Sequence, residues 1–178
     1  MDVLAIITAR GGSKSIPNKN IIPFLGRPLI NWSVESALDS KLITRIITST
    51  DDPDIADAAK KAGSEIPFIR PAKYAQDDTL DLPVFEHALK WLQEAESYSP
   101  KIVVHLRPTT PLRPKGLIDE GINLLINDPN ADSVRAVCKP ANNPFKMWKI
   151  QNDGAMVPLF ESGIHEQYNQ PRQNRLSA

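Results

Sequence analysis

The residues best suited to chemistry lie at positions 9–20, in the run Ala-Arg-Gly-Gly-Ser-Lys-Ser-Ile-Pro-Asn-Lys-Asn. Arg10, Lys14 and Lys19 bring cations into one short loop, and Gly11 and Gly12 are adjacent. Glycine lets backbone N–H groups come close to a ligand, because no Cβ stands in the way. Successive N–H groups in a turn form an anion-binding concavity, and neighbouring Lys and Arg add full charges. The chemistry this composition suits is the holding of a polyphosphate. The alternative from residues alone is a tight turn with solvated cations. The loop matches neither the Walker A spacing nor the dinucleotide fingerprint Gly-x-Gly-x-x-Gly.

Positioning such a loop requires an element before it, and residues 3–7 form a continuous apolar run. A strand buried on both faces reads this way in a parallel sheet covered by helices. Further strands are predicted at 43–47, 66–69, 102–106 and 133–138. Helices are predicted after Pro28, after Pro53, around Phe85 to Leu92 and over 117–125. Asp52 before Pro53 reads as an N-cap with a first-turn proline, and Gly63 as the C-cap. The first helix should bury Ile30, Val34, Ala37 and Leu38 on one stripe. Alternating strands and helices predict a mostly parallel α/β sheet of Rossmann-like type. Ligands then gather beyond the carboxyl ends of the strands. The first loop, residues 49–52, Arg70 and the proline-stiffened stretch 107–114 would all meet there. From Pro140 the rhythm changes. Residues 147–150 and 156–160 read as a hairpin around a Gln-Asn-Asp-Gly turn. The whole chain, 1–178, is expected to be one domain, with 140–172 as an excursion from it.

Composition sets the outer bounds. The 178 residues suit one domain with a real core. The 21 Lys and Arg balance the 21 Asp and Glu, which argues against non-specific attraction to nucleic acid or a membrane surface. Phosphate chemistry must therefore come from local charge. Cys138 is the single cysteine; in its apolar run it is expected to be buried and structural, in a reducing compartment. No stretch reaches the roughly 20 apolar residues of a membrane span. A cytoplasmic location is the expectation.

The loop, with Ile16-Pro17 and Lys19-Asn20, closely resembles the signature of the acylneuraminate cytidylyltransferases, the CMP-sialic acid synthetases. Gly26-Arg27-Pro28-Leu29-Ile30, Ser49-Thr50-Asp51, Arg70-Pro71-Ala72, Asp77-Asp78-Thr79 and Pro108-Thr109-Thr110-Pro111-Leu112-Arg113 match the same family in order. Asp132-Ser133-Val134 and Arg172-Gln173 extend the likeness over nearly the whole chain. The resemblance implies the α/β fold of nucleotide-diphospho-sugar transferases. It implies a reaction of CTP with a nine-carbon sugar acid to give the CMP-sugar and pyrophosphate, with Mg²⁺ required and a homodimer as the working form. Arg10 and Lys19 would hold the triphosphate and stabilise the leaving group. Ala9, Gly11, Gly12, Ser13, Lys14 and Asn20 would line the nucleotide, as would Arg70 and Thr79. Arg107, Thr109 and Arg172 would face the sugar acid.

For Arg70 and Thr79 the residues also allow a loop-capping arginine and a helix-cap threonine. Asp52 is explained as a cap, and neither it nor Asp51 is assigned to a metal. Arg107 stands where many members of the family have glutamine, so the sugar is expected to be a related nonulosonate as readily as N-acetylneuraminate. Family members continue further, through another core strand and an Asp-x-Asp pair that binds Mg²⁺. No such pair follows residue 139 here, which makes a C-terminally incomplete chain the expectation. The competing expectations are a non-catalytic nucleotide-binding remnant of the family and a different sugar nucleotidyltransferase.

Overall fold

The computed structural model describes residues 1–138 and 147–159. The chain divides into two compact units, Met1–Val134 and Arg135–Ala178. In the first, strand β1 (Val3–Thr8) is the spine. Its side chains from Val3 to Ile7 are all buried, as the unbroken apolar run requires. It pairs in parallel with β4 (Arg45–Ser49) on one side and β5 (Ile102–Leu106) on the other, giving the order β4-β1-β5. The register sets Thr8 against Ser49 and Ile7 against Leu106. All three strands therefore end at one edge, and the loops after them converge there.

Successive residues of β1 serve opposite faces. Ala5 and Ile7 pack with Ile30, Val34 and Ala37 of helix α1 (Leu29–Leu38) and with Ile55 and Ala59 of α2 (Pro53–Ala62). Leu4 and Ile6 pack with Ala88 and Leu92 of α3 (Asp81–Glu96). Helices thus cover both faces of the sheet. Helix α4 (Leu117–Asn127) follows β5 and buries Ile122. Between β1 and α1, β2 (Pro23–Phe24) and β3 (Arg27–Pro28) form a minimal hairpin, with Gly26 at φ 84° in its turn. In the second unit, β6 (Trp148–Ile150) and β7 (Met156–Pro158) form the antiparallel hairpin expected around Gly154.

Five expectations need correction. The second parallel strand starts two residues later than the apolar run, at Arg45, because its ladder with β1 begins there. Residues 66–69 form no strand; only Glu65 bridges to Ile47. Pro67 has no N–H to give a ladder, so the pairing stops. Residues 133–138 also form no strand and are exposed, and Cys138 is exposed rather than buried. Alternating apolar residues fit an edge, but nothing among the described residues pairs with them. Leu38, expected in the buried stripe, is 55% exposed at the end of α1. No helix among the described residues is long and apolar enough to cross a membrane. The expected excursion, 140–172, falls largely outside the described residues, and Arg172 lies outside them entirely.

Candidate active site

The loop after β1 is held by short-range bonds that follow from its composition. Ala9 N–H donates to the Ser49 carbonyl at 3.1 Å, extending the β1–β4 ladder by one step. Gly11 N–H donates to Asp51 Oδ1 at 2.9 Å. A Cβ at Gly11 would meet Asp52 Oδ2 at 2.8 Å, so a larger residue here would have to displace that carboxylate. Gly12 has φ 60°, a left-handed conformation that favours glycine. Asn20, 6% exposed, donates from Nδ2 to the Arg10 carbonyl at 2.9 Å and closes the loop on itself. Asp52 caps α2, accepting from the N–H groups of Asp54 and Ile55. Both acids after β4 therefore have structural duties.

Arg70 is the most buried cation among the described residues, 5% exposed. Its backbone N–H donates to the Thr50 carbonyl at 2.7 Å. Its Nη2 donates to the Ser49 carbonyl at 2.5 Å and its Nη1 to the Tyr74 carbonyl at 3.3 Å. Nε has no partner among the described residues. Burial lowers its pKa and the nearby Asp51 charge opposes that shift; a guanidinium stays charged regardless. Arg70 is thus a loop-tying arginine that also lines the cleft described next.

A cleft of about 190 Å³ opens at the carboxyl edge of the sheet. Arg10, Lys19 and Asn20 line it from the first loop, Arg70 and Thr79 from the stretch between β4 and α3, and Arg107 and Thr109 from the loop after β5. These seven were all candidates from sequence. Ala9, Gly11, Gly12, Ser13 and Lys14 are not in its wall; they shape the loop behind and beside it. Thr8, Tyr74, Gln76, Asp81, Val84 and Pro108 complete the lining, and sequence reasoning missed them. A second hollow, about 420 Å³, is bounded only by the turn residues from Lys149 to Asp153 and gathers no set of functional groups.

Thr79 is not a helix cap, since Leu80 holds that position. Its Oγ1 instead accepts the Gln76 N–H at 3.1 Å and closes the turn before α3. Arg107 pairs with Asp81 across the cleft wall, both being about half exposed. Arg113 donates to Ser33 Oγ at 3.0 Å and to the Arg107 carbonyl at 2.6 Å. Buried Ser33 donates to that same carbonyl at 3.1 Å. Helix α1 and Arg113 together therefore fix the peptide that carries Arg107.

Thr8 of the cleft lining is paired from behind. Thr8 Oγ1 lies 3.0 Å from His105 Nε2. The register places His105 beside Ile6, so Thr8, two residues on, shares its face. Phe85 packs edge-on against the imidazole at 4.7 Å. Burial lowers the His105 pKa, so the ring is neutral near pH 7. A threonine at a strand end and a histidine inside a strand carry no local sign of this role; only the register reveals it.

Two ion pairs complete the electrostatics. Arg10 Nη2 meets Asp77 Oδ1 at 2.6 Å, and Lys14 meets the other oxygen of the same carboxylate. The two cations, Lys14 first, hold the Asp77 pKa below the usual carboxylate range. Lys19 has no ion-pair partner among the described residues. No group of three His, Cys, Asp or Glu among the described residues could hold a metal ion. Asp51 and Asp52 each give one carboxylate oxygen to backbone N–H groups.

Comparison with known proteins gives a consistent picture. A family model described as cytidylyltransferase matches residues 4–155. The chain is 38% identical over 128 residues to a pseudaminic acid cytidylyltransferase of Campylobacter jejuni, covering 72% of this chain and 55% of the relative. It is 31% identical to a CMP-N,N'-diacetyllegionaminic acid synthase of Legionella pneumophila, covering 88% and 66%. The chain thus spans between about half and two thirds of these curated relatives. Among solved structures, a CMP:2-keto-3-deoxy-manno-octonic acid synthetase complexed with CTP superposes with a TM-score of 0.59. It shares 21% identity, over 73% of this chain and 49% of that one. That likeness shows the shared fold.

Proposed function

The chain belongs to the cytidylyltransferase family, and from that premise we propose that it forms the nucleotide-binding part of an enzyme that joins CMP from CTP to a nonulosonic acid. The observation carrying this reading is the convergence of Arg10, Lys19, Arg70 and Arg107 on one cleft at the carboxyl edge of the sheet. The pseudaminic and legionaminic acid substrates of the Campylobacter jejuni and Legionella pneumophila relatives support the substrate class.

In this reading the sugar's anomeric hydroxyl attacks the α-phosphorus of CTP. A P–O bond to the sugar forms, and the bond to the β-phosphate oxygen breaks, releasing pyrophosphate. Such a transfer depends on positioning and on neutralising charge that builds on the leaving group. Arg10 and Lys19 meet that need from the glycine-shaped loop. In this reading Gly12, Ser13 and Lys14, beside the cleft, offer backbone donors and a further cation to the phosphates, and Gly11 shapes the turn that carries them. Arg107 and Thr109, after β5, face the sugar acid, and Arg172 is assigned there from the family likeness. Arginine offers a bidentate grip on a carboxylate. Magnesium is proposed as the counter-ion of the CTP triphosphate, as the family likeness implies. Homodimer formation is proposed as well, supported by exposed Trp148, Ile150 and Met156 on the β6–β7 hairpin. A cytoplasmic setting, where CTP is made and used, completes the reading.

The test is pyrophosphate release from CTP, Mg²⁺ and a panel of nonulosonic acids, with CTP titrated calorimetrically alongside. Turnover dependent on one sugar acid is expected, and Arg10→Ala should lower it by about 100-fold or more, the typical effect of removing one charge-stabilising contact. A change under threefold would remove Arg10 from the mechanism. CTP binding without turnover would favour a non-catalytic nucleotide-binding chain.

A further inference from the structure

Asp77 is the one acidic side chain described on the first loop's cations, and nothing in the reaction calls for it there. A triphosphate is the ligand those cations suit, yet a carboxylate already bridges two of them. Arg10 Nη2 reaches Asp77 Oδ1 at 2.6 Å, and Lys14 takes the other oxygen. Arg10 Nη1 also reaches the Ala75 carbonyl at 3.4 Å, so the guanidinium is drawn toward the segment that carries Asp77. That segment is a self-contained turn, closed by the Gln76 N–H on Thr79 Oγ1 and by Gln76 Nε2 on the Ala72 carbonyl at 2.6 Å. Thr79 and Gln76 line the cleft themselves.

We propose that Asp77 is an internal anion that holds the place of a phosphate on Arg10 and Lys14 and must give way when the nucleotide's triphosphate binds. The proposal rests on the assignment of the first loop to CTP. A carboxylate and a phosphate oxygen present the same chemistry to a guanidinium and an ammonium, namely an oxygen acceptor carrying negative charge. The exposure of the trio allows exchange: the Asp77 side chain is 43% exposed, Lys14 81% and Arg10 33%. Exposed ion pairs of this kind are weak and exchange readily. Asp77 therefore keeps the two cations gathered while the site is empty, at a cost in phosphate affinity. The lowered pKa of Asp77 agrees with this contact. A carboxylate fixed beside bound phosphates would instead repel them.

The experiment compares the whole chain with Asp77→Asn by calorimetric titration with inorganic tripolyphosphate and, separately, with CTP at low ionic strength. Asp77→Asn should tighten both by about 2- to 5-fold, the size expected for removing a weak surface pair. The neighbouring Asp78→Asn changes net charge equally but has no described ion-pair partner, and should have under half that effect. Because Asp77 is exposed in a loop, the thermal midpoint should stay within about 2 °C. Unchanged or weaker binding by Asp77→Asn would overturn the proposal, as would an equal gain from Asp78→Asn. In either case normal CTP binding by the unaltered chain would leave the proposed function standing. Failure of the folded, unaltered chain to bind CTP or tripolyphosphate would overturn both.

Discussion

Gly11 shows how closely the phosphate loop and the neighbouring helix are fitted together. Its N–H is used by Asp51, and the space its Cβ would need is occupied by the capping carboxylate of Asp52. Gly11→Ala should push Asp52 off the first turn of α2 and cost about 1 kcal/mol, the usual loss for an N-cap. For a domain of this size that is a fall of about 2–4 °C in the thermal midpoint, read by differential scanning calorimetry; no fall would show that the cap can shift freely. The same scale shows what sequence could and could not reveal. Cations in a glycine-bearing loop are a local signal, so Arg10 and Lys19 were legible as cleft residues, while Arg107 was picked out by its proline-stiffened loop and by the family likeness. Thr8 and Asp81 are single polar residues whose importance comes from partners distant in sequence, His105 and Arg107. Thr79 does line the cleft, but its bond is to a turn and not to a helix end.

Helices and strands divide the work of support. Helix α2 was readable almost to the residue, because Asp52, Pro53 and Gly63 mark its ends by their own conformational limits. Strands were less so. Residues 66–69 are apolar and look like a strand, but Pro67 cannot join a ladder. Helix α3 and strand β5 carry two histidines, His87 and His105, whose pKa values burial pushes down. Arg70 and Lys73 add to the shift at His87. At His105, Arg107 and Arg113 lower it further and Asp81 opposes. The unfolded chain, with histidine near 6.5, then takes up protons before the folded one as pH falls. Stability should be full above about pH 6.5 and decline as pH drops below it toward the folded values. A thermal midpoint measured from pH 7.5 to 5 should show that decline, and His87→Gln with His105→Gln should flatten it. An equal slope in the double variant would assign the decline to other groups.

At the scale of the molecule, function follows from topology. Three parallel strands end at one edge, so loops separated by about a hundred positions in the chain deliver their cations to one cleft. This much was legible, because alternating strands and helices leave few ways to arrange a parallel sheet. The strand order and the pairing of Arg107 with Asp81 were not, since both depend on which elements become neighbours. The reading as a CMP-nonulosonate-forming enzyme unites the family match, the fold and the cleft. Mass spectrometry of the products from the purified chain, CTP, Mg²⁺ and a nonulosonic acid tests it most directly. The account predicts a CMP-sugar formed in equal amount with pyrophosphate. A folded chain that leaves CTP and every sugar acid of the panel unchanged would contradict it.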